Sequence, residues 1–392
     1  MKGIYEQIAA YIDAHQEEMV QVLRNLVLLE GHYSEKENVE KAMDYYCDLL
    51  IKEGFTLEKH PVAANRAGVI VADLGKDRQK KPVLLSGHFD TVFMSGSWGE
   101  EPFREEDGKV YGPGVIDMKG GDVMALYVVK ALNHIGFNER PIRLILVGDE
   151  EADHVGSNGD VEVIEGSRGC LCAFNMEFGD MQNRLVIGRK TQHTFHVKVH
   201  GVGGHAGNDV LTGRNAVLEA AWKMVEIAKL ANMEIGTTIT PSVVRGGENS
   251  SSIPDVCEFS VDTRLPSTEE IERVYKGIQN IVEHSYIEGT SAEYTVDVAK
   301  FQPYSETEGI SRLFELVNST ALEVGMEPFG KVHRGGVADS GNIAAAGVPV
   351  LDGCGLVGEF AHNKKEYGIL DVMYNRTKLL AYVITKLGTF EA

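Results

Sequence analysis

The run Ile142-Arg143-Leu144-Ile145-Leu146-Val147 leads directly into Gly148-Asp149-Glu150-Glu151. A short apolar run of this kind reads as a buried strand. Two adjacent carboxylates at its end remain ionised out of water only beside a cation or a set of hydrogen-bond donors. A metal ion would supply that charge, so the chain is constrained to a fold that buries this strand and brings compensating groups to its end.

Four other stretches deliver ligand-type residues. Val83-Leu84-Leu85-Ser86-Gly87 runs into His88-Phe89-Asp90, and Cys170-Leu171-Cys172-Ala173-Phe174 runs into Asn175-Met176-Glu177. Glu359-Phe360-Ala361-His362 offers an imidazole near the end of the chain, and Asp117 lies in the glycine-rich Gly112–Gly121 segment that opens a helical pattern. In an open α/β sheet the carboxyl ends of the strands share one crevice. Ligands placed just after apolar runs are therefore expected to meet there.

The net charge of −20, from 58 acidic against 38 basic residues, opposes nucleic acid as a partner, because phosphates are neutralised by Lys and Arg. No apolar run approaches the roughly 18 residues that span a bilayer, so no membrane partner is expected. The first residues enter an amphipathic helix without an apolar signal segment, which gives a cytoplasmic expectation. Five scattered cysteines argue against a disulfide framework, and Cys170 and Cys172 read as small core residues.

With 392 residues there is room for about two domains. Strand–helix–strand alternation from 69 to 175 predicts an α/β domain with a mostly parallel sheet between helices, in which Val69–Ala72 and Val83–Leu85 read as neighbouring strands. Ile4 to Val27 has helical spacing that ends at Gly31, and Asn38 to Gly54 reads as a second helix. From about 188 the texture changes. Phe195, Val197 and Val199 alternate with polar residues, as do Cys257, Phe259 and Val261. Helices are expected around Asn215–Asn232 and after the capping box Ser267-Thr268-Glu269-Glu270. The order β, α, β, β, α, β matches a ferredoxin-like α+β unit. The chain thus divides into 1–186 with 303–392, a catalytic metal-binding domain, and 187–302, an inserted lid or dimerisation domain.

His88 and Asp90 point the same way on an extended strand, so Asp90 can orient His88 through its second ring nitrogen if His88 binds a metal. Glu150 and Glu151 face opposite sides, so one can ligate while the other activates a metal-bound water, whose pKa falls toward about 7. Each fragment alone is compatible with an ordinary turn or a capped strand end. Their joint occurrence, with Ser86-Gly87-His88-Phe89-Asp90, Gly114-Val115-Ile116-Asp117-Met118-Lys119-Gly120, Asp149-Glu150-Glu151 before Gly156-Ser157, then Glu177 and His362, resembles the zinc aminopeptidase-like metallohydrolases. Within these it is similar to the M20 family of dinuclear metallopeptidases and deacylases, glutamate carboxypeptidase-like subgroup, over essentially the whole chain.

The resemblance implies two divalent metal ions per chain, zinc with cobalt or manganese as alternatives. Asp117 would bridge them, His88 and Glu177 completing one site and Glu151 and His362 the other. Glu150 would be the general base and acid, Asp90 would support His88, and the peptide bond after Asp117 would be cis. His205, in Gly203-Gly204-His205-Ala206-Gly207, matches the imidazole that the inserted domain supplies to the substrate carbonyl, often across a dimer interface. Asn249 and Arg264 match positions that bind a substrate carboxylate, with Arg334 a weaker candidate. His193, His196 and His200 match no motif and read as solvated strand residues.

The expected activity is hydrolysis of an amide or peptide bond beside a free carboxylate in a small peptide or N-acyl amino acid. The first reading is a carboxypeptidase releasing a C-terminal amino acid such as glutamate. An N-acyl-amino-acid deacylase or dipeptidase uses the same site. A nonenzymatic dimeric scaffold is the alternative of another class. A homodimer through the lid domain is expected.

Overall fold

The computed structural model describes residues 3–391. The chain forms two compact units. One takes the residues up to Gly188, Glu306–His333 and those from Ala338 onward, and the other takes Arg189–Ser305 with Arg334–Val337. The last four residues are a segment that the sequence reading leaves with the first domain. The Arg189 guanidinium donates to the carbonyls of Gly336 and Val337 at 3.2 and 3.1 Å, which holds them to the second unit.

The first unit is built on a six-stranded sheet in the order Thr56–His60, Val69–Leu74, Ile142–Val147, Val83–His88, Cys172–Asn175, Val350–Leu351. The last four strands run parallel, and the first two are antiparallel to their neighbours. The strands Val69–Leu74 and Val83–His88 are not adjacent, because Ile142–Val147 lies between them. Apart from Arg143, whose guanidinium pairs with Asp73 at 2.8 Å, this strand is apolar and buried, and such a strand takes a place in the sheet interior. Helix Ile4–Ala14 is followed by a separate helix Gln16–Leu28, the break falling at His15. The sequence spacing reads across that break as one helix, since both pieces bury the same stripe.

The second unit has the antiparallel strand order Thr238–Gly246, Val256–Leu265, Thr191–His200, Ser291–Val298, the ferredoxin-like arrangement. Helices Ala216–Ala228 and Thr268–Glu283 pack on it around Phe195, Val197, Phe259 and Ile278. Asn215 and Ser267 cap these helices, each accepting from the third backbone amide beyond it. His193 is buried, with Nδ1 2.8 Å from Tyr275 Oη, and not solvated as the sequence suggests. The reason is parity, since 193 shares the inward face with 195, 197 and 199. His196 and His200 do lie on the wet face, beside Asp297 and Glu293.

Helix Gly120–His134 packs against the sheet at closest approach where Gly121 meets the carbonyl of Met176. A Cβ added to Gly121 would lie 1.8 Å from that oxygen. Gly121→Ala should therefore lower stability by about 1–3 kcal/mol, the cost of overpacking a filled interior. It should be read as a lower urea midpoint at unchanged slope. An unchanged midpoint would show that the helix can move away without penalty.

Candidate metal centre

Parallel pairing sets the ends of three strands side by side, with His88 in register with Val147 and Ser86 with Asn175. His88 closes its strand, Glu150 and Glu151 follow Val147 closely, and Glu177 lies two residues past Asn175. Asp117 arrives from an irregular turn, Val115–Lys119, where Asp117 and Met118 leave helical geometry and the peptide bond between them is cis. His362 comes from the loop after the short strand Gly358–Glu359, with its own φ at +62°.

The two oxygens of Asp117 serve two imidazoles. Oδ1 lies 3.1 Å from His88 Nε2, and Oδ2 lies 3.1 Å from His362 Nε2. Glu177 Oε1 is 3.5 Å from His88 Nε2, and Glu151 Oε2 is 3.3 Å from His362 Nε2. The ligand atoms of His88, Asp117 and Glu177 lie within 4.8 Å of one another, as do those of Asp117, Glu151 and His362. Glu150 belongs to neither set, and its Oε2 stands 3.9 Å from His88 Nε2. His362 is exposed while His88, Asp117, Glu150 and Glu177 are buried, so the centre is open on the His362 side.

Asp90 acts on both sides of this arrangement. Its carboxylate accepts from the backbone amides of Glu150 and Glu151 at 3.2 and 2.9 Å. Its backbone carbonyl lies 3.0 Å from His88 Nδ1, nearer than its own carboxylate at 3.4 Å. A buried carboxylate that sequence reasoning did not single out, Glu366, accepts from the amides of Ile116 and Asp117 at 2.8 and 3.3 Å. Its position four residues after His362 is the signal that could have pointed to it.

The electrostatics are those of carboxylates crowded out of water. Burial, then the charges of Glu177, Glu151 and Asp339, hold the Glu150 carboxyl well above its ordinary pKa against the pull of His88. Burial and Asp117 raise Glu151 to about 7, and burial and Asp117 raise Glu366 to about 8. Burial opposes charge on His88, yet Glu150, Asp117, Asp90 and Glu177 outweigh it and push its pKa well up. Hydrogen bonds to Asp117 and Glu151 raise His362 to about 11. Glu151 Oε1 is buried with no hydrogen-bond partner among the described residues. Excess buried negative charge, an unused carboxylate oxygen and two oxygen-and-nitrogen donor sets sharing one aspartate fit a pair of divalent cations.

A family model described as peptidase family M20/M25/M40 matches residues 84–386. The chain belongs to that family. Its members are metal-dependent hydrolases, and the M20 family generally binds two metal ions. This M20 chain is 26% identical to carboxypeptidase G2 of Pseudomonas sp. strain RS-16 over 95% of its own length and 90% of that protein. It is also 26% identical to N-formyl-4-amino-5-aminomethyl-2-methylpyrimidine deformylase of Bacillus subtilis strain 168, over 69% of this chain and 68% of that one. The crystal structure of aminopeptidase PepT from Bacillus cereus ATCC 10987 has the same fold, with a TM-score of 0.80 at 18% identity, covering 95% of this chain and 99% of that one.

The remaining predicted residues lie in the second unit. His205 is exposed, and its Nδ1 accepts from the amides of Gly207 and Asn208 at 3.1 and 3.3 Å, which leaves the ring hydrogen on Nε2. Asp209 holds the loop by accepting from the His205 amide at 2.7 Å. Asn249 is exposed and accepts from the Ser251 amide at 3.0 Å. Arg264 donates from Nε to Asp262 at 3.0 Å and from Nη1 to the Gly335 carbonyl at 3.5 Å. It therefore meets the same short segment that contains Arg334 and that Arg189 holds.

Metal binding at this centre should release protons. In protein stripped by chelator His362 is protonated below about 11, and Glu151 is about half protonated at pH 7. Ligation needs both bare, so affinity should rise with pH over that range. Calorimetric titration with zinc in two buffers of different ionisation enthalpy measures the release, and no net proton exchange at pH 7 would contradict it.

Proposed function

We propose that the chain hydrolyses an amide or peptide bond beside a free carboxylate, as a carboxypeptidase releasing a C-terminal amino acid such as glutamate. The observation that carries this reading is Glu150, a buried carboxyl beside two donor sets that leave it unused. We assign the bridging position to Asp117, one metal to His88 and Glu177, and the other to Glu151 and His362. Zinc suits imidazole and carboxylate donors, and cobalt or manganese can replace it. When bound, the pair of ions would supply a water of lowered pKa and polarise the scissile carbonyl.

The protein's own groups then divide the remaining work. Glu150 accepts the proton of the attacking water on its carboxylate and returns it to the leaving nitrogen. Asp90 fixes the backbone that carries Glu150 and Glu151. His205 donates from Nε2 to the carbonyl oxygen as charge develops there, the role for which its tautomer is suited. Arg264 and Asn249 bind the substrate carboxylate. Arg264 is a planar donor fork, and Arg189 and Arg334 on adjoining segments add positive charge, which supports an anionic terminus. Similarity to carboxypeptidase G2 favours this reading, and similarity to a deformylase favours N-acyl substrates as the second. The complete ligand set gives the nonenzymatic scaffold no support. Five free, buried cysteines accord with a cytoplasmic setting.

We place a homodimer interface on the second unit. Leu218, Trp222 and Val225 recur at helical spacing and stay half exposed on helix Ala216–Ala228. The neighbouring edge strand Thr238–Gly246 exposes Val243 and Val244. An apolar stripe beside an open strand edge is the kind of surface that a second copy covers.

Glu150→Gln should retain both metals and lose about 10²–10⁴-fold in kcat. Assay over C-terminal dipeptides, N-acyl glutamates and N-acetyl amino acids after zinc reloading names the substrate class, and retained activity removes Glu150 as the base. Separately, Trp222→Asp should shift the protein from dimer to monomer in light scattering. A monomeric parent, or a dimer unaffected by the change, would reject this interface.

A further inference from the structure

The turn that carries Glu150 is held from beneath by a residue that no part of the mechanism above uses. His154 is fully buried, with Nδ1 2.9 Å from Asp149 Oδ1 and Nε2 3.0 Å from Asp339 Oδ1. Two carboxylates that each accept from a ring nitrogen require hydrogen on both nitrogens, so the ring is an imidazolium. A buried cation of this kind persists only with its partners in place. Those partners are themselves fixed, because Ser157 Oγ donates to Asp149 and Asn342 Nδ2 donates to Asp339 Oδ1 at 3.1 Å.

The backbone is shaped to deliver the ring. Asp153 and His154 both have left-handed φ, +54° and +53°, which non-glycine residues adopt rarely. The Asp153 amide donates to the Glu150 carbonyl at 2.8 Å, closing the turn on the residue it serves. Gly159 makes room, since a Cβ there would lie 2.4 Å from His154 Nδ1. Asp339, at the start of helix Ser340–Ala345, is also among the charges that act on Glu150.

We propose that His154 is a positioning residue for Glu150: its cationic ring, clamped between Asp149 and Asp339, ties the Glu150 turn to the start of helix Ser340–Ala345 and fixes where the Glu150 carboxylate stands. The proposal rests on the reading of Glu150 as the base, which Glu150→Gln tests by itself.

The experiment compares zinc-loaded parent, His154→Gln, Glu150→Gln and the double variant, reading metal content, melting temperature, kcat and KM. His154→Gln should keep both metals and a KM within about twofold, while kcat falls at least about tenfold, because small misplacements of a reacting group are costly. In the Glu150→Gln background the same change should alter the residual rate by less than about twofold, the non-additivity of two residues acting as one. A kcat near the parent's in metal-loaded His154→Gln overturns the proposal, as does a full additive loss in the Glu150→Gln background. If Glu150→Gln itself remains active, the reading beneath it has failed instead. Should His154→Gln not fold, Asp339→Asn, which takes the negative charge from one side of the cationic ring and keeps the shape, must lower kcat in the same direction with KM and metal content retained, and an unchanged kcat there also overturns it.

Discussion

One carboxylate facing two imidazoles organises this protein. Asp117 presents an oxygen to His88 and the other to His362, each at 3.1 Å. Around that axis Glu150, Glu151, Glu177 and Glu366 are drawn out of water, where like charges repel and desolvation is severe. The raised proton affinities of Glu150, Glu151 and Glu366 have this one origin. The centre is thus built to be stabilised by cations that the chain itself does not supply in sufficient number.

The scaffold accepts that burden by gripping the backbone of the segments that carry these carboxylates. Asp90 binds the amides of Glu150 and Glu151, and Glu366 binds those of Ile116 and Asp117. Lys119, fully buried two residues after Asp117, donates to the carbonyls of Leu26 and Glu30 at 3.0 and 2.9 Å, satisfying the end of helix Gln16–Leu28. Burial lowers its pKa to about 8 against the pull of Glu30 and Asp122. Such buried partners orient a site to within tenths of an ångström because each removes a freedom that solvent would otherwise restore. His154, held between Asp149 and Asp339, lies one layer further out in the same network of buried contacts.

The second unit follows different physics. Its sheet has one wet face and one covered by two helices, and its stability lies in an apolar cluster of its own. Alternation in Phe195–Val199 and Cys257–Val261 made these strands legible, since a half-buried strand writes its period directly into the sequence. The same period places His193 inward, and reading it as solvated neglected the parity of its neighbours. The strand Ile142–Val147, apolar except for Arg143, has no such period, so its identity was legible and its neighbours were not. Only the assembled sheet shows that it lies between Val69–Leu74 and Val83–His88.

The sequence by itself determined which residues are able to form a metal centre, because ligand types follow apolar runs and parallel strands bring their carboxyl ends together. It also determined the two-layer pattern of the inserted unit. What only tertiary structure decided is which groups support those residues: Asp90 on two amides, Glu366 on two more, and His154 between Asp149 and an Asp339 that lies 185 residues further along the chain than His154 itself. A ligand announces itself through its chemical type. A supporting group is defined by what it touches, and long-range contacts leave no local periodicity from which they could be read.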